Sequence, residues 1–401
     1  RRMKGIRTLT SLNLRNQQVL MRVDFNVPME SGRVVDDFRI RSVLPTIQAC
    51  LEEGASVVLM SHLGRPGGKP VKNLSLVGVG EVLSDLLEKP VKFSSNCISE
   101  EALGVSETLS PGEIHLLENL RFHDGETAND PAFSARLACH GTVYVNDAFG
   151  TAHRAHASNV GVAGHFQEKG MGLLMEKELH FLRMSLEDPA RPLTLVLGGA
   201  KIGTKLALLS RFVREADAVL VGGGMAFTFL KSQGMDVGRS LVDDDSLEVA
   251  KHILSTARER NVPFRLPVDV VVTRDPASGR AEGERDVHRM DRNLQGVDIG
   301  SRTIRLFRRA IEESKTVVWN GPMGIFEMPD FRKGTVAVGV AMTHVTQAGG
   351  TAVVGGGDTA AAVRRLGLEK KVTHISTGGG ASLELLAGRS LPAFEALKTG
   401  R

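Results

Sequence analysis

The feature that most constrains this chain is a repeated alternation of short, β-branched apolar runs with helical stretches. Such runs include QVLMRVDFNVP and ASVVLMSHLGRP in the first half, and LTLVLGGAK and TVVWNGPMG in the second. Near-continuous apolar runs of this kind predict strands that are buried on both faces, as in a parallel sheet. A strand followed by a helix, repeated along the chain, is the βαβ pattern. The sequence therefore predicts an α/β fold with two parallel sheets flanked by helices.

The length predicts more than one domain. A chain of 401 residues is too long for one ordinary core and suits two domains of about 200 residues each. We expect the junction near Gly170–Pro192, where an apolar stripe runs along one face of a predicted helix that Asp188-Pro189 ends. The stripe consists of Met175, Leu179, Leu182 and Leu186. A helix at this position would join the two domains.

Charge and aromatic content argue against a nucleic-acid partner. Lys and Arg number 50 against 46 Asp and Glu, a net charge of +4, which permits a local anion site without requiring a polyanion. Aromatic residues make up 4% of the chain, too few for the stacking platforms that single-stranded nucleic acid needs. Nucleic-acid binding is therefore a weak alternative function, weaker than the dehydrogenase alternative that the GGGDTA motif raises.

Cysteine usage and hydropathy predict the compartment. Cys50, Cys97 and Cys139 are odd in number, widely spaced and outside any CxxC motif, so no disulfide framework is expected. No apolar run approaches the length of about 18 residues that a membrane helix needs. We therefore expect a cytoplasmic protein with no membrane partner.

The residues that follow each predicted strand form the candidate site, because ligands of open parallel sheets bind beyond the carboxyl ends of the strands. In the first half these residues are polar and mostly cationic. They are Asp24 and Asn26, His62 and Arg65, Arg121, and Asn146, Asp147 and Arg154, with Arg39 at a predicted helix start. Arginine binds phosphate and carboxylate groups bidentately. The first half therefore predicts a site for a small anion carrying such groups.

In the second half the residues after the strands are glycines, in GGAK, GGGM, GGGD and TGGG. Glycine lets the backbone approach a phosphate closely, and the amides at a helix N-terminus favour anions. Lys201 and Lys205 in the first loop can reach phosphate oxygens as point charges. Asp358 in the third loop would repel a phosphate unless a cation lay between them, which favours Mg²⁺ at Asp358. The second half therefore predicts a site for a Mg-nucleotide.

Two motifs fit other nucleotide-binding folds poorly. GGAKIGTK has Gly198 and Gly203 at the P-loop spacing, but Thr204-Lys205 reverses the order of Lys and Ser/Thr that a Walker loop needs. GGGDTA fits G-x-G-x-x-A and leaves a dehydrogenase as the other alternative function. The strand after GGGDTA ends in HISTGGG, which offers no acid for a ribose hydroxyl.

Taken in order, these motifs closely resemble those of phosphoglycerate kinases over nearly the whole chain. The first half has RVDFNVP at 22–28, SHLGRP at 61–66, ENLRF at 118–122 and NDAFGTAHRAHAS at 146–158. The second half has GGAK at 198–201, GGGMAFTFLK at 222–231, VWNGPMGIFE at 318–327, GGGDTA at 355–360 and STGGGAS at 376–382. The resemblance implies reversible phosphoryl transfer between 1,3-bisphosphoglycerate and ADP, giving 3-phosphoglycerate and ATP with Mg²⁺.

The resemblance also implies residue roles. The residues expected to bind 3-phosphoglycerate are Asp24, Asn26, Arg39, His62, Leu63, Gly64, Arg65, Arg121 and Arg154. The residues expected to bind the nucleotide are Gly199, Ala200, Lys201, Lys205, Gly223, Gly224, Gly296, Asn320, Pro322, Glu327, Gly356, Gly357, Asp358 and Thr359, with Asp358 on the metal side. The residues expected to stabilise the transferring group are Arg39, Lys201 and Lys205, with the amides of Gly378, Gly379 and Gly380.

Two Rossmann-like domains follow from the same resemblance. Residues 1–172 would bind 3-phosphoglycerate, and residues 173–387 would bind the Mg-nucleotide, beginning with the linking helix 173–188. The segment 388–401 would pack back onto the first domain, and the protein would be a monomer that works by hinge closure. One segment departs from the family: GVDIGSRT at 296–303 has Ser301-Arg302 where relatives commonly have Pro-Lys.

Overall fold

The computed structural model describes residues 5–184, 187–376 and 378–399. The chain divides into two compact units. One unit runs to Leu179 and takes in the segment from Ser390 onward, and the other spans His180–Arg389. The sequence predicts a boundary between residues 172 and 173. The two units divide farther along, between Leu179 and His180, within the helical segment that joins them.

The strands of the first unit are β1 (Gln18–Arg22), β2 (Met29–Glu30), β3 (Arg33–Val34), β4 (Ser56–Met60), β5 (Val91–Ser94), β6 (Ile114–Leu117), β7 (Val143–Asn146) and β8 (Lys169–Met171). Those of the second unit are β9 (Leu193–Leu197), β10 (Ala218–Val221), β11 (Phe264–Arg265), β12 (Asp269–Thr273), β13 (Glu284–Asp286), β14 (Gln295–Ile299), β15 (Thr316–Asn320), β16 (Thr351–Gly355) and β17 (His374–Ile375).

The α-helices of the first unit are α1 (Phe38–Glu52), α2 (Val77–Leu87), α3 (Glu100–Glu107), α4 (Asp124–Thr127), α5 (Pro131–Ala138) and α6 (Leu173–Leu179), with α14 (Pro392–Leu397) from the returning segment. Those of the second unit are α7 (Leu206–Glu215), α8 (Met225–Ser232), α9 (Leu247–Glu259), α10 (Ser301–Glu312), α11 (Lys333–Gln347), α12 (Gly357–Arg365) and α13 (Gly380–Leu386).

Each unit is built on a parallel sheet, as the apolar runs predict. The first sheet has the strand order β5-β6-β4-β1-β7-β8 and the second has β11-β10-β9-β15-β16-β17, with every neighbouring pair parallel. β4, β9 and β15 are buried at every residue, because helices cover both faces. The second order is that of a doubly wound nucleotide-binding sheet, so the α/β prediction is confirmed.

Helix α1 shows how the sequence positions a site residue. Ile40, Val43, Ile47 and Cys50 recur at helical spacing and are buried against the first sheet. Arg39 precedes Ile40 and therefore lies in the first turn, beside the buried stripe and partly exposed. Burial of the stripe fixes the rotation of α1 and with it the position of Arg39.

The returning segment packs on the first unit. The Phe394 ring lies 6.3 Å from the Phe149 ring, centroid to centroid, and the Ala393 amide N–H donates to the Ala152 carbonyl oxygen at 3.1 Å. Lys398 forms an isolated antiparallel bridge with Ile6. These contacts tie both ends of the described chain to the same unit.

Helix α6 is anchored at its start. The Leu173 amide N–H donates to Thr46 Oγ1 at 3.1 Å, and the Met175 amide N–H donates to Asp147 Oδ1 at 2.9 Å. Beyond Leu179 the segment continues as a π-helical turn over His180–Met184. The predicted stripe residue Leu186 lies outside the described residues. Within the described ranges, every helix is too short or too polar to cross a membrane.

A chain of buried hydrogen bonds crosses the first unit through two histidines. His140 Nε2–H donates to the Cys97 carbonyl oxygen at 2.8 Å, so His140 Nδ1 accepts from the Ser106 hydroxyl at 2.7 Å. Ser106 Oγ then accepts from His115 Nδ1–H at 2.9 Å, and His115 Nε2 accepts from the Ser94 hydroxyl at 2.7 Å. In this arrangement each imidazole carries one ring proton and is neutral, in agreement with the pKa of both histidines, which burial lowers.

We predict that these histidines limit the stability of the protein in acid. Burial lowers the pKa of His115 and His140 from 6.5 to about 4. The unfolded chain therefore binds protons that the folded chain does not, and stability is lost as the pH falls from about 6.5 to about 4. Replacement of His140 by Gln should make the free energy of unfolding less steep in this range, by up to about 1.4 kcal/mol per pH unit.

Denaturant unfolding at a series of pH values measures this slope. His165 is exposed, so His165→Gln is the matched control and should keep the slope of the wild-type protein. Equal slopes for His140→Gln and the wild-type protein would contradict the prediction.

Candidate active site

The first sheet brings the predicted anion-binding residues to one edge. The strands β6, β4, β1 and β7 are neighbours and parallel, so their carboxyl ends lie side by side. The predicted residues follow these ends: Arg121 after β6; His62, Leu63, Gly64 and Arg65 after β4; Asp24 and Asn26 after β1; and Arg154 after β7. Helix α1 adds Arg39 beside Asp24. We call this set the cationic edge.

Asp24 holds Arg39 in place within the cationic edge. Arg39 Nη1 donates to Asp24 Oδ1 at 3.1 Å and Oδ2 at 3.0 Å, and to the Asn26 carbonyl oxygen at 3.1 Å. The Asp24 side chain is 9% exposed and that of Arg39 is 33% exposed. Within the described residues, the Arg39 contacts use Nη1 alone, which leaves Nε and Nη2 to donate to a ligand.

The loop after β4 is clamped by its neighbours. The Gly64 amide N–H donates to Asn26 Oδ1 at 2.9 Å, and Arg121 Nη1 donates to the Gly64 carbonyl oxygen at 2.8 Å. Gly64 has a φ of +62°, and a Cβ at this position would lie 2.8 Å from Leu74 Cδ2. The backbone conformation therefore favours glycine here, and the next residue, Arg65, is exposed.

His62 lies behind the loop and is nearly buried, with 3% of its surface exposed. Its Nδ1 lies 3.1 Å from Arg22 Nη2. Burial, and then the guanidinium groups of Arg22, Arg121 and Arg39, lower the pKa of His62 well below its usual range. At neutral pH His62 is thus an uncharged hydrogen-bonding group of the cationic edge.

Like charges crowd Arg121. Burial, and then the neighbouring Arg22, Arg154 and Arg65, lower its pKa to about 10, against an opposing effect of Glu126. Arg65 and Arg154 are exposed, and Arg121 Nε is buried without a hydrogen-bond partner among the described residues. Positive charge concentrated in this way attracts a small anion with more than one acidic group.

A second site lies where the strand order of the second sheet reverses, between β9 and β15. The Gly198 amide N–H donates to the Asn320 carbonyl oxygen at 3.0 Å, and the Gly199 amide N–H donates to the Pro322 carbonyl oxygen at 2.9 Å. A Cβ on Gly198 would lie 2.1 Å from the Pro322 carbonyl oxygen. Glycine therefore permits the two loops to meet at the floor of a crevice.

This crevice opens into a cavity of about 140 Å³. Its lining brings together six of the predicted nucleotide residues, which are Gly199, Ala200, Gly223, Gly224, Gly296 and Pro322. The remaining wall is largely apolar and was not assigned from the sequence; it includes Phe227, Leu241, Val270, Met323 and Ile325. An apolar slot between glycine loops fits a planar heterocyclic base. In the sequence, Phe227 and Met323 lie next to glycine motifs, and this position indicates the apolar wall.

The two predicted lysines differ in their surroundings. Lys201 is exposed. Lys205 is buried, and its ammonium donates to the carbonyl oxygens of Gly198 and, at 3.1 Å, Asn320. Burial lowers the pKa of Lys205 to about 8, although the Asp358 carboxylate opposes this. Lys205 is therefore mostly charged at neutral pH, and its hydrogen bonds link the end of β9 at Gly198 to the end of β15 at Asn320.

Helix α12 begins directly after the end of β16. Asp358 lies in the first turn of this helix, and its carboxylate is exposed. Thr359 is buried, and its hydroxyl accepts the Gly321 amide N–H at 2.6 Å. Gly356 has a φ of +92°, which glycine adopts without strain, and Gly357 starts the helix. The loop therefore presents helix N-terminal amides and one carboxylate at the same edge as the crevice.

The residues present suit a magnesium ion that arrives with the nucleotide. Among the described residues, no group of three or more His, Cys, Asp and Glu side chains could hold a metal unaided. Mg²⁺ commonly takes one carboxylate from the protein and keeps waters and phosphate oxygens as its other ligands. Asp358 supplies that carboxylate. Asn320 Nδ2 is buried without a partner in the described structure and suits a phosphate oxygen.

Other predicted residues lie around this edge. The Gly378 amide N–H donates to Ser376 Oγ at 3.1 Å, so it is engaged within its own loop. Gly379, with a φ of +49°, and Gly380 stand at the N-terminus of α13, where helix amides lack intrahelical acceptors. Glu327 is exposed and lies outside the lining of the cavity.

Ser301-Arg302, which replaces the Pro-Lys common among relatives, does not disturb the cavity. Ser301 donates to Glu284 from its amide at 3.1 Å and from its hydroxyl at 2.7 Å, and Arg302 pairs with Asp286 at 2.6 Å. These contacts fasten the start of α10 to β13, so β14 keeps Gly296 on the cavity wall.

The cationic edge in one doubly wound unit and the glycine-lined crevice in the other suit a kinase that acts on a small anionic molecule. Comparison with known proteins identifies its kind. A family model described as phosphoglycerate kinase matches residues 9–389. The phosphoglycerate kinase of Chloroherpeton thalassium is 49% identical over 391 residues, covering 98% of each chain, and that of Chlorobium phaeobacteroides is 50% identical over 393 residues, covering 98% of this chain and 99% of its own.

The solved structure of phosphoglycerate kinase from Coxiella burnetii superimposes with a TM-score of 0.86 at 38% identity, covering 98% of each chain. The chain belongs to the phosphoglycerate kinase family. It is a phosphotransferase, and its reaction is the glycolytic one that interconverts 1,3-bisphosphoglycerate plus ADP and 3-phosphoglycerate plus ATP.

We predict that filling the cavity wall at Gly296 weakens nucleotide binding. A Cβ at this position would lie 2.0 Å from Phe227 Cζ, so the Phe227 ring must move into the cavity or the strand must shift. A displaced Phe227 ring narrows the space for the base, and we expect the affinity to fall by about tenfold, or about 1.4 kcal/mol. Calorimetric titration of Gly296→Ala with ADP should show this loss and unchanged binding of 3-phosphoglycerate.

Gly104→Ala is the matched control, because a Cβ there meets no atom within 4 Å. This variant should bind ADP as the wild-type protein does. Wild-type affinity of folded Gly296→Ala for ADP would show that the cavity is not the nucleotide site.

Proposed function

We propose that the two substrates bind to different units, 3-phosphoglycerate on the cationic edge and the Mg-nucleotide at the glycine-lined crevice. The observation that carries this proposal is the convergence of Arg39, Arg65, Arg121 and Arg154 at one sheet edge, with Asp24 engaged by Arg39. A phosphate and a carboxylate on one small molecule match several guanidinium groups better than any single anion does.

In the first unit each predicted site residue has a role in binding 3-phosphoglycerate. Arg39, Arg65, Arg121 and Arg154 neutralise the acidic groups of 3-phosphoglycerate. Asp24 and Asn26 accept and donate at its polar oxygens, and the backbone of Leu63 and Gly64 lines the approach. His62 donates a hydrogen bond without carrying a charge. The structure supports these parts through the fixed geometry of the loops at this edge.

In the second unit the base occupies the apolar cavity, and the phosphates extend toward the loops that start α12 and α13. Gly223, Gly224 and Gly296 admit the base, and Glu327 and Pro322 lie on the ribose side. Gly356, Gly357 and Thr359 cradle the phosphates, and Asp358 holds Mg²⁺. The bound ion neutralises phosphate charge and orients the oxygens of the nucleotide.

The chemistry needs charge stabilisation rather than a general base. In the ATP-consuming direction the nucleophile is the carboxylate of 3-phosphoglycerate, which is already ionised at neutral pH. The protein must align this oxygen with the γ-phosphorus and offset the charge on the migrating phosphoryl group. Arg39 from the first unit and Lys201 from the second supply that charge. Lys205 and the amides of Gly379 and Gly380 reinforce it, whereas the Gly378 amide is already bonded to Ser376 Oγ.

Closure of the two units follows from the division of the substrates. The reacting oxygen and phosphorus must come within about 3–3.5 Å of each other, although their binding residues belong to separate units. Closure also excludes water, which would otherwise hydrolyse ATP. We propose that the helical segment beginning at α6 is the mover, since α6 is anchored to the first unit at Thr46 and Asp147.

The free cysteines and the composition of the two sites favour a particular cellular location and oligomeric state. We propose a cytoplasmic monomer, without a nucleic-acid or membrane partner as its primary role. Free thiols at Cys50, Cys97 and Cys139 suit a reducing compartment. Both substrate sites are made from residues of one chain, so a second copy is not needed to complete either.

For Arg39→Ala we predict a loss of turnover of about a hundredfold or more, because the charge on the transferring group loses its partner. Nucleotide binding should be unchanged, because Arg39 belongs to the other unit. A coupled assay with 3-phosphoglycerate and Mg-ATP measures the turnover number. Arg41→Ala is the matched control, since Arg41 lies on the same helix and is exposed. A normal turnover number for Arg39→Ala would refute the assignment.

For Asp358→Asn we predict that the Mg²⁺ concentration giving half-maximal rate rises by about tenfold or more, because the substitution removes the negative charge and one carboxylate oxygen. Glu369→Gln is the control, an exposed carboxylate beyond the far end of α12. The measurement is the rate of the coupled reaction in a Mg²⁺ titration. An unchanged Mg²⁺ dependence would remove Asp358 from the metal site.

A further inference from the structure

Arg22 is a buried cation to which neither the motifs nor the proposed function gives a part. It is the last residue of β1 and is 0% exposed. Burial of an arginine side chain costs several kcal/mol unless its donors are satisfied. The contacts that satisfy Arg22 therefore indicate what the residue does.

The Arg22 guanidinium makes three hydrogen bonds. Nε donates to Ser158 Oγ at 2.7 Å, Nη1 donates to the Val23 carbonyl oxygen, and Nη2 lies 3.1 Å from His62 Nδ1. The Ser158 hydroxyl in turn donates to Glu126 Oε1 at 2.8 Å. The buried Glu126 thus compensates the charge of Arg22 through an intervening hydroxyl and leaves Nη2 aimed at the imidazole.

The direction of the contact with His62 follows from chemistry. A guanidinium has five N–H donors and no acceptor, so Arg22 must donate and His62 Nδ1 must accept. Nδ1 is then without a proton, and the single proton of the neutral ring is on Nε2. An imidazolium would direct an N–H at another N–H, so this contact excludes the charged form.

The surroundings of His62 favour the same state. The charged and titratable groups that face it are Arg22 from β1, Arg121 from the turn after β6, Arg39 from α1 and His156, and each disfavours a positive imidazole. Within the described part of the chain, no protein atom forms a hydrogen bond with Nε2. The Nε2–H group is therefore available to a ligand on the cationic edge.

We propose that Arg22 is a positioning residue that holds His62 as the neutral Nε2–H tautomer, so that His62 donates a hydrogen bond to an oxygen of bound 3-phosphoglycerate. This inference rests on the proposed function in one respect, the placement of 3-phosphoglycerate beside His62. The consequence is selectivity for an acceptor: a carboxylate, phosphate or hydroxyl oxygen is bound at this point, and an ammonium or amide N–H is rejected.

The tautomer is measured directly by ¹⁵N NMR of the full-length protein, since bare and protonated ring nitrogens have well-separated shifts. We expect a bare Nδ1, a protonated Nε2 and no titration of His62 between about pH 5 and 8. In Arg22→Met the donor that faces Nδ1 is lost, so both tautomers of the neutral ring should be populated. A protonated Nδ1 in the wild-type protein, or an unchanged His62 in Arg22→Met, would overturn the proposal.

Arg136→Met is the matched control for this substitution. Arg136 belongs to the same unit but pairs with Glu100 at the surface, so the His62 signals should stay as in the wild-type protein. Arg22→Lys keeps a buried donor and should restore part of the wild-type tautomer population, which a purely steric role of Arg22 would not predict.

Substitutions of His62 itself keep the proposal testable if Arg22→Met fails to fold. The amide nitrogen of Gln occupies roughly the place of Nε2, and that of Asn roughly the place of Nδ1. His62→Gln should keep the KM for 3-phosphoglycerate within about threefold, whereas His62→Asn should raise it by about tenfold or more, with the KM for ATP unchanged in both. Equal effects of the two substitutions would overturn the donation from the Nε2 position.

The two measurements separate the inference from the function on which it rests. If NMR shows the expected tautomer and both His62 variants keep a wild-type KM for 3-phosphoglycerate, the substrate placement beside His62 is wrong and the Arg22–His62 assignment stands. If the tautomer is wrong and either His62 variant raises the KM for 3-phosphoglycerate without changing the KM for ATP, the placement stands and the positioning role of Arg22 is wrong.

Discussion

Repulsion among guanidinium groups held at one sheet edge is the interaction on which the rest of the structure depends. Arg121 lies close enough to Arg22, Arg154 and Arg65 for its pKa to fall to about 10. The edge offers little negative charge in return, because Asp24 is already bound to Arg39 and Glu126 lies buried behind Ser158. A fold stable enough to hold such charges together is ready for a ligand that neutralises them.

The candidate site of the second unit is built in a different way. Its crevice relies on close backbone approach at Gly198 and on apolar walls such as Phe227, with one buried ammonium at Lys205. The difference matches the proposed ligands, because a small anion with a phosphate and a carboxylate offers mainly charge, whereas a nucleotide offers a flat apolar base and a chain of phosphates. Under the proposed function each substrate binds its own unit, and phosphoryl transfer requires the two units to close.

Much of this arrangement could be predicted from the sequence. The strand ends were visible as apolar runs followed by Arg or Gly, and parallel pairing made them neighbours. The contribution of Arg22 was not visible, because an arginine inside an apolar run gives no sign of full burial or of its contact with His62. The apolar cavity wall was also missed, since Phe227 and Val270 come from elements distant in sequence. The boundary at Leu179 depends on tertiary contacts that a continuous helical pattern does not reveal.

Small-angle X-ray scattering tests the central claim most directly. The radius of gyration should be compared for the free protein, for each substrate complex and for the complex with 3-phosphoglycerate and a non-hydrolysable Mg-ATP analogue. Two separate sites that must meet predict a smaller radius when both ligands are present than with either alone. One unchanged radius in all four states, at concentrations where calorimetry shows both ligands bound, would contradict the account.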